Sequence, residues 1–527
     1  MIRVRQVKVK VLEDNKDILL KNIARKLGMK MSDIISYKII KKSIDARDKR
    51  DIYYVYEVDI DTYLEDKILL KNKSNDIMIS PLEEYVLPKS GNLPLNRRIV
   101  VVGSGPAGLF CSYILAEAGY RPLIIERGEK IEDRVKSVEH FFLTNELNVN
   151  SNIQFGEGGA GTFSDGKLNT LVKDKAFRGK KVFEIFVENG APEEIMYMNK
   201  PHIGTDILRR VIVSMREKIK SLGGEFLYNS TVTDILFETN RITGIKILEK
   251  DVILCDALVL AIGHSARNTF KMLHDKGVMM RPKNFAVGLR MEHPQEMINK
   301  SQYGEFSKYL EPASYKLTYQ SKSGRGVYSF CMCPGGFVVN ASSEEGLLAV
   351  NGMSNYKRDE VNANSAIVMT VSAKDFGEEL FSGMDFQRKL EKKAYELGNG
   401  YIPIQLFKDF KNNCISTSLG DVTCNTKGNT CFANLRELFS DDMNSSFIEA
   451  IEDFGHKIKG FDRDDAVLLG VETRTSSPIM IVRDEAGEAS IKGLYPCGEG
   501  AGYAGGITTA AMDGIKIAEE IIKKYHT

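Results

Sequence analysis

A short apolar run followed by a glycine-rich turn is the feature that most constrains how this chain can fold. Residues 99–102 are apolar throughout, which is typical of a strand buried on both faces of a sheet. Gly103, Gly105 and Gly108 follow with the spacing G-x-G-x-x-G, which allows a tight turn, close approach of a pyrophosphate and packing of a helix on the strand. A second apolar run ends at Glu126, 23 residues after Gly103, where a carboxylate can bind ribose hydroxyls. This order predicts a dinucleotide-binding βαβ unit rather than a fortuitous helix start.

A second stretch with the same glycine spacing has a different context. Gly156, Gly158 and Gly161 match the pattern, but no strong apolar strand precedes them and no amphipathic helix follows. So many glycines in one place cost conformational entropy on folding, and they are useful where backbone must lie against a flat ligand or phosphates. We therefore predict a ligand-contacting loop over residues 150–170, with an ordinary mobile surface loop as the alternative.

Composition excludes several classes of function. The chain has 527 residues, enough for two or three domains, with 72 Lys plus Arg against 71 Asp plus Glu. Balanced charge gives no overall attraction to nucleic acid or acidic membranes. Residues 98–119 are apolar but carry a nucleotide-binding pattern, and residues 1–15 lack the apolar core of a signal peptide, so we predict no membrane span and a cytoplasmic protein. The eight cysteines include no C-x-x-C, and no metal site is predicted.

The pattern of elements predicts four segments along the chain. Residues 1–92 suggest a small α/β module with the order βαββ, resembling a ferredoxin-like sandwich. Residues 93–280 and 470–527 would form two parts of one nucleotide-binding domain, and residues 281–469 an inserted α+β substrate or cap domain. The first fifty residues hold 15 Lys plus Arg against 6 Asp plus Glu, so an RNA-binding face is one possibility and a charge-compensated, solvated surface the other.

Two later segments complete the nucleotide-binding pattern. An apolar run from residue 257 ends at Gly263, as expected of a strand that passes beneath a bound dinucleotide. Near the end of the chain, a strand and turn over residues 493–500 precede Gly505 and Gly506, which open a last helix reaching Lys524.

Several long strings resemble a flavoprotein family. The glycine turn, Glu126-Arg127 and the late Cys497-Gly498-Glu499 resemble the glutathione-reductase structural class. Residues 97–527 more closely resemble a bacterial family of uncharacterised FAD-dependent dehydrogenases. The strings that carry this closer resemblance are residues 154–168, 261–267, 328–336, 471–478 and 498–506. The resemblance implies a Rossmann-like FAD-binding domain with three layers (ββα).

The resemblance also implies roles for individual residues. Gly103, Gly105, Gly108 and Glu126 would hold the ADP half of FAD, Arg127 would lie near the adenine, and Arg134 near the pyrophosphate. Val232 would contact the adenine, Gly498 and Glu499 the ribityl-pyrophosphate, and Gly506 and Ile507 the pyrimidine edge of the flavin. Glu499 stands where many relatives outside the family have Asp. The remaining predicted cofactor-binding residues are Pro106, Ala107, Gly158, Gly159, Gly161, Thr162, Lys167, Ala261, Ile262, Gly263 and Gly505.

Four side chains are candidates for catalysis. His264 follows the strand expected beside the flavin and could hold a proton, or it could be a hydrogen-bonded turn residue. Cys331 and Cys333 could form a redox pair, or they could be small buried residues on a strand. Arg474, like Arg290, could bind a substrate carboxylate, and a structural salt bridge is the alternative.

The sequence therefore predicts an FAD-dependent oxidoreductase that transfers hydride through its flavin to or from a small-molecule substrate. No second nucleotide-binding unit is present in the pattern, so NAD(P)H, if it is the electron donor, would bind at the flavin face. The alternatives are an RNA-modifying flavoprotein that uses the basic N-terminal module, and a non-catalytic FAD-bound scaffold.

Overall fold

The N-terminal residues form a four-stranded antiparallel sheet covered by two helices. The computed structural model describes residues 1–72, 74–170 and 172–526. Strand order β2-β3-β1-β4 and chain order βαββαβ are those of a ferredoxin-like fold, so the predicted βαββ unit is extended by one helix and one strand. The elements are β1 (Ile2–Lys10), α1 (Lys16–Leu27), β2 (Ser36–Asp45), β3 (Tyr53–Asp61), α2 (Glu65–Lys71) and β4 (Ile77–Ile79).

Many of the basic side chains in this module pair with carboxylates of the same module. Lys26 Nζ lies 2.9 Å from an Asp76 oxygen, and Lys42 Nζ lies 2.8 Å from an Asp14 oxygen. The module also contacts the rest of the chain, because Lys42 pairs its backbone with Met198. The acids thus compensate part of the basic excess in the first fifty residues.

A five-stranded parallel sheet forms the centre of the next region. Its strand order is β25-β12-β6-β7-β8, and an antiparallel three-stranded meander, β11-β10-β9, packs on one face. The elements of this region are β5 (Leu93–Pro94), β6 (Ile99–Val102), α3 (Pro106–Glu117), β7 (Leu123–Ile125), α4 (Ile131–Thr144), α5 (Arg178–Glu188), α6 (Thr205–Ser221), β8 (Glu225–Leu227), β9 (Val232–Glu238), β10 (Arg241–Ile247), β11 (Asp251–Leu254), β12 (Ala257–Leu260), α7 (Arg267–Asp275) and β13 (Met280–Pro282). The strand β25 is Leu494–Pro496.

Side-chain alternation along the parallel strands explains the three layers. Val101 and Val259 belong to the core shared with the helices, whereas their neighbours Val100 and Leu258 belong to the core shared with the meander. Successive side chains of a strand point to opposite faces, so a continuous apolar run requires a cover on both sides. The predicted FAD-binding type of fold, a Rossmann-like ββα arrangement, is therefore what the chain adopts.

A seven-stranded mixed sheet forms the large region between residues 285 and 472. Its strand order is β15-β16-β19-β14-β23-β20-β22, and a small sheet β18-β17-β21 lies beside it. The elements are β14 (Phe285–Pro294), α8 (Gln295–Tyr303), β15 (Thr318–Gln320), β16 (Gly326–Cys333), β17 (Phe337–Asn340), β18 (Val350–Met353), β19 (Asn362–Val371), α9 (Ala373–Phe376), α10 (Ser382–Leu397), β20 (Ile402–Leu406), α11 (Phe407–Asn412), β21 (Thr426–Lys427), β22 (Thr430–Phe432), α12 (Asp441–Lys457) and β23 (Val467–Glu472).

The end of the chain returns to the first nucleotide-binding segment. β25 adds to the edge of the parallel sheet beside β12, and the last helix packs lengthwise on α3. The last elements, besides β25, are β24 (Ile479–Ile481), α13 (Ile507–Lys524) and β26 (Tyr525–His526). Segments before and after the seven-stranded sheet thus share one sheet, which agrees with an inserted segment, while the exact domain boundaries stay a prediction.

Among residues 1–72, 74–170 and 172–526, no helix has both the length and the apolar character needed to cross a bilayer. Within the same ranges, no group of three or more His, Cys, Asp or Glu side chains gathers in a way that could hold a metal ion.

Candidate active site

A cavity of about 710 Å³ lies between the parallel sheet and the seven-stranded sheet. The carboxyl ends of β6, β7 and β12, the start of α3, the loop over residues 154–170 and the start of α13 line one side. Residues from β16, β18 and β23 line the other side. Ligands of open α/β sheets bind at the carboxyl ends of the strands, and this cavity has that position.

The glycine turn after β6 shows why its spacing matters. A Cβ on Gly103 would lie 2.3 Å from the carbonyl oxygen of Ala261, and a Cβ on Gly108 would lie 1.9 Å from the carbonyl oxygen of Gly103. Both glycines therefore permit close packing of backbone on backbone, and Gly108 lies outside the cavity lining. Gly105 lines the cavity, and the nearest atom to its added Cβ is the Gly159 Cα at 3.7 Å.

Glu126, at the end of β7, organises the turns around it. One carboxylate oxygen accepts hydrogen bonds from the backbone N and the Oγ of Ser104, at 2.9 and 2.8 Å. The other accepts from the backbone N–H groups of Gly128 and Gly156, each at 3.0 Å. The carboxylate thus ties three loops together while it lines the cavity. The Ser104 contact was missed, because G-x-G-x-x-G leaves that position unspecified.

Arg127 and Val232 line the same end of the cavity as Glu126. The Arg127 guanidinium carbon lies 4.4 Å from the centroid of the Phe155 ring, a cation–π contact. Burial lowers the pKa of Arg127. The two predicted adenine-side residues therefore line one cavity, and Arg127 lies against an aromatic ring.

Arg134 requires a correction. Its side chain is fully buried and lies outside the cavity lining, so it does not point at a pyrophosphate position. Its guanidinium donates to five backbone carbonyls of the glycine loop, those of Asn152, Ile153, Gly156, Glu157 and Gly159, at 2.6–3.2 Å. Burial lowers its pKa to about 9. Arg134 therefore holds the loop from behind.

The glycine loop divides into lining and supporting residues. Gly159, Gly161 and Lys167, three of the predicted cofactor-binding residues, line the cavity. Gly158 and Thr162 lie behind them, because an added Cβ on Gly158 would lie 2.1 Å from the Thr162 Oγ1. The Lys167 Nζ lies 3.3 Å from an oxygen of Asp165, a buried carboxylate that also pairs with Arg358. Burial opposes ionisation of Asp165, but Lys167 and Arg358 lower its pKa overall.

The opposite end of the cavity has open space above its glycines. Gly263, Gly505 and Gly506 line it, and an added Cβ on any of the three would have no atom of another residue within 4 Å. Helix α13 begins at Ile507, so its unpaired N–H groups and positive dipole end face this space. The other predicted residues that line the cavity are Pro106, Ala107, Ala261 and Ile262.

Gly498 and Glu499 have different positions. The Gly498 N–H donates to an Asp513 oxygen at 2.7 Å and lies outside the cavity lining, so Gly498 shapes the turn. Glu499 lines the cavity, and its Oε1 lies 2.8 Å from His264 Nδ1. The other ring nitrogen, Nε2, is buried and has no partner among the described residues. The histidine is thus fixed through one nitrogen, and it lines the cavity.

The guanidinium groups of Arg474 and Arg290 are not free to bind a substrate carboxylate. Arg474 lines the cavity, but its guanidinium pairs with both oxygens of Glu391 at 2.9 and 2.8 Å and donates to the hydroxyls of Ser265 and Ser343. Arg290 is fully buried and pairs with Glu472 at 2.9 Å. The salt-bridge alternative is what the structure shows, so the predicted carboxylate-binding role of Arg474 is corrected.

Glu391 anchors this buried network from α10. Its carboxylate also accepts from Arg267 and from the Thr473 Oγ1, at 3.2 and 2.6 Å. Burial opposes its ionisation, but Arg267 and Arg474 overcome that effect and lower its pKa to about 2. Glu391 was missed because it lies in a charged helical stretch whose pattern gives no signal of burial.

Cys331 and Cys333 lie at a bulge in β16. Both are free thiols; Cys331 lines the cavity and is half-buried, whereas Cys333 is fully buried behind it. Cys331 has φ of +45°, in the left-handed region that non-glycine residues rarely adopt. The Cys333 Sγ lies 3.4 Å from the Cys331 carbonyl oxygen.

Comparison with known proteins identifies the family. A protein of Clostridium beijerinckii (strain ATCC 51743 / NCIMB 8052), described as an uncharacterized protein, is 47% identical over 531 residues and 99% of both chains. Residues 284–475 match the family described as FAD-dependent protein, C-terminal domain-like, and residues 101–154 match the NAD(P)-binding Rossmann-like domain. The chain belongs to a family of FAD-dependent oxidoreductases. Residues 1–61 of this oxidoreductase match a domain of unknown function, DUF8436.

More distant similarities accompany the family match. Over 91 residues, 17% of this oxidoreductase and 21% of the relative, the chain is 33% identical to a D-amino acid dehydrogenase of Helicobacter pylori (strain ATCC 700392 / 26695). L-Proline dehydrogenase from P. horikoshii aligns over 82% of this chain and 94% of its own, with 15% identity and a TM-score of 0.35. Glycine oxidase from Bacillus cereus ATCC 14579 aligns over 82% and 99%, with 11% identity and a TM-score of 0.32.

The residues of the cavity fit the FAD that the family requires. The three exposed glycines Gly263, Gly505 and Gly506 leave room for a flat ring system, since no atom beyond their chain neighbours lies within 4 Å of an added Cβ. One buried polar atom at the same cavity, His264 Nε2, has no hydrogen-bond partner among the described residues. Buried polar groups are rarely left unpaired, so this atom is consistent with a polar ligand in the oxidoreductase.

Proposed function

We propose that FAD lies along the whole cavity and that the oxidoreductase transfers hydride between its flavin and a small organic molecule. The observation that carries this proposal is the continuity of the cavity from Glu126 to the start of α13. One end offers a carboxylate and an aromatic contact, the middle a glycine turn, and the other end open space in front of a helix N-terminus. These are the recognition elements that an adenosine, a pyrophosphate and a flavin ring need in that order.

The chain's own groups suit the middle and the ring end of such a ligand. The start of α3 directs N–H groups at the pyrophosphate position, and Gly105 keeps side-chain atoms away from it. The start of α13 would favour negative charge that develops on the reduced ring. Bound flavin supplies the hydride chemistry, and the protein supplies orientation and electrostatics.

His264 is the residue that we propose to hold a proton beside the reacting atoms. Its Nδ1 contacts Glu499 at 2.8 Å, which orients the ring and sets which nitrogen faces the carboxylate. Its Nε2 is then available to donate to, or accept from, a group in the cavity. A general acid or base in this position contributes roughly 10²–10⁴-fold to a rate.

A second cavity offers a route for the electron partner. It has a volume of about 670 Å³ and shares Phe330, Thr475 and Gly505 with the first cavity. Arg325, Lys374 and several hydroxyl groups line its outer part. We propose that the small-molecule substrate, or NAD(P)H if it is the donor, reaches the flavin face from this side.

Amino acids are one substrate class to test, because the relative matched over 91 residues is named a D-amino acid dehydrogenase. No arginine that lines the cavity is free to bind the carboxylate of an amino acid, because Arg474 is paired with Glu391 and Arg127 stacks on Phe155. Among the described lining residues, Lys167 is the remaining lysine or arginine, and its Nζ lies 3.3 Å from an Asp165 oxygen. We therefore propose a small organic substrate without committing to an amino acid.

Anaerobic stopped-flow spectroscopy tests the proposed function. The purified protein would be mixed with NADH, NADPH, D- and L-amino acids and a metabolite pool while the flavin absorbance is followed. Bleaching of the flavin by a donor, and its return with an organic acceptor, would support a hydride-transferring enzyme. A flavin that no donor reduces would favour a non-catalytic scaffold. Salt-dependent RNA retention that is lost when residues 1–92 are removed would favour the RNA-modifying alternative.

A further inference from the structure

We propose that Cys331 and Cys333 form a redox-active dithiol at the flavin cavity, which reacts with low-molecular-weight disulfides through Cys331 and closes to an intramolecular disulfide with Cys333. The proposal deepens the proposed function by naming a class of substrate, and it rests on that function only for the final electron partner. The thiol chemistry itself belongs to the chain and can be measured separately from flavin chemistry.

A β-bulge gives the two cysteines different exposure. Phe330 pairs with Ala366 and Cys333 with Asn364, so β16 advances three residues where β19 advances two. The extra residue and the positive φ of Cys331 turn this position away from the regular strand. Cys331 consequently lines the cavity, while Cys333 stays at 0% exposure behind it.

One buried guanidinium, that of Arg290, lies beside the pair. Arg290 Nη1 lies 3.0 Å from the Cys331 carbonyl oxygen and 4.0 Å from the Cys333 Sγ. The guanidinium is held by Glu472 at 2.9 Å and by the side-chain oxygens of Asn351 and Asn364, at 2.8 and 2.9 Å. This clamp fixes a positive charge beside two sulfurs in a water-poor site, where it favours a thiolate.

Packing against β18 confines Cys333. A Cβ on Gly352 would lie 2.3 Å from Arg290 Nη1 and 2.8 Å from the Cys333 Sγ. The β18 backbone therefore packs directly against Arg290 and the Cys333 sulfur. A reagent in the cavity meets Cys331 first, and Cys333 can act only through Cys331.

The electrostatics assign the two sulfurs different roles. A hydrogen bond from Cys333 lowers the pKa of the Cys331 thiol well below its usual range, and Arg290 and Lys167 act in the same direction although burial opposes them. The hydrogen bond to Cys331 raises the pKa of Cys333. The attacking sulfur is thus the one that faces the cavity. Cys497 lines the same cavity, but burial raises its pKa, so it is an internal reference thiol.

The reaction balances as two thiol–disulfide exchanges. The Cys331 thiolate attacks one sulfur of a disulfide such as glutathione disulfide, breaks its S–S bond and releases one thiolate. The Cys333 thiol then loses its proton and attacks the Cys331 sulfur, which releases the second thiolate and forms the internal disulfide. The pair has lost two electrons and two protons, and the external disulfide has become two thiols. Two electrons from reduced flavin would regenerate the dithiol.

Mass spectrometry on the FAD-containing protein tests the thiol chemistry. In a C414S background, which removes the exposed thiol, glutathione disulfide should remove two hydrogen atoms from the protein mass and leave Cys331 and Cys333 joined in one peptide. With C333S added, the product should instead be a stable glutathione adduct on Cys331. With C331S added, Cys333 should not react. No internal disulfide in the parent protein, or an adduct on Cys333 in the C331S protein, would overturn the proposal.

Two further measurements complete the test. The first needs no substituted protein, so it does not depend on the folding of a variant, and the second tests electron transfer between the flavin and the disulfide. Limited iodoacetamide at pH 6.5 should label Cys331 of the unsubstituted protein at least tenfold faster than Cys497, and equal labelling would contradict the proposed thiolate. After anaerobic photoreduction, the flavin of the oxidised parent protein should return to the oxidised state as the internal disulfide opens, and C333S should not show this. A flavin that stays reduced while the disulfide persists would refute the coupling, without affecting the evidence for FAD binding.

Discussion

The two ends of the cavity are built by different means. At the proposed adenosine end, the backbone N–H groups of Ser104, Gly128 and Gly156 donate to Glu126, and all three lie within about 30 residues of it in the chain. At the ring end, side chains meet from segments far apart, such as Arg474 with Glu391 and Arg290 with Glu472. The comparison indicates that the first end depends on backbone groups close in the chain, whereas the second depends on buried charge pairs between distant segments.

Substitution in the glycine turn, between the two ends, should lower the affinity for the cofactor most strongly. Gly105→Leu places a side chain in the cavity where the nearest atom to the Cβ is already a Gly159 Cα at 3.7 Å. Overpacking of this kind costs about 2–3 kcal/mol, so FAD affinity should fall by roughly 100-fold. Equilibrium dialysis with the apoprotein measures this loss. Gly179 lies outside the cavity lining, so Gly179→Ala should leave the affinity for FAD unchanged. Equal losses of affinity in both variants would contradict a specific role for Gly105 at the bound FAD.

Substitutions in the buried charge network at the proposed ring end should lower the free energy of unfolding most strongly. Glu391→Gln leaves Arg474 and Arg267 without their shared carboxylate, and such a loss typically costs about 3–5 kcal/mol. Denaturant unfolding of the apoprotein measures it. Glu396→Gln is a control on the same helix, because Glu396 is 62% exposed and its Lys392 partner lies at 3.9 Å. It should cost below about 0.5 kcal/mol, and comparable costs in the two variants would contradict a buried charge network.

His264 should affect the rate of flavin reduction more than the binding of FAD. His264→Gln keeps a polar side chain but loses the imidazole that contacts Glu499. We expect roughly a 100-fold slower hydride transfer with nearly full FAD content, measured by stopped-flow with whichever donor reduces the flavin. His274→Gln, at a side chain 53% exposed, should match the unsubstituted protein. An unchanged rate in the His264 variant would contradict the proposed proton-holding role and would show that this histidine has a structural role only.

The last expected effect is a difference in the pH dependence of stability in acid. The pKa of Glu391 in the folded protein is about 2, against 4.5 for an unperturbed glutamate. Its ionised form therefore stabilises the fold above pH 4.5, and this stabilisation is lost as the pH falls from 4.5 towards 2. The unfolding free energy of the unsubstituted protein should fall more steeply in that window than that of Glu391→Gln. Parallel curves would show that the carboxylate is not held ionised by its arginines.

The difference between the two ends also explains what the sequence could predict. The strand, the turn, the start of α3 and Glu126 were predictable because each depends on neighbours within about thirty residues. The ferredoxin-like order at the N-terminus was predictable for the same reason, apart from α2 and β4. Gly505 and Gly506 were also correctly placed before the last helix.

Charged side chains were the least predictable features. Arg134 and Arg474 were expected to face a ligand, but each is saturated by partners on other segments. A guanidinium has five donors, and only the tertiary contacts decide whether carbonyls, carboxylates or a ligand receive them. The bulge at Cys331 likewise depends on its pairing with β19, which no local pattern reveals.

The FAD content of two Gly506 variants tests the central claim most directly. An added Cβ at Gly506 has no protein atom within 4 Å, and its φ of 175° is open to any residue, so substitution there should intrude on the ligand and not on the fold. Gly506→Ala should retain about one FAD per chain, whereas Gly506→Leu should fall below roughly a tenth while its apoprotein unfolds like the parent. Full FAD content in Gly506→Leu would contradict a flavin ring at the start of α13.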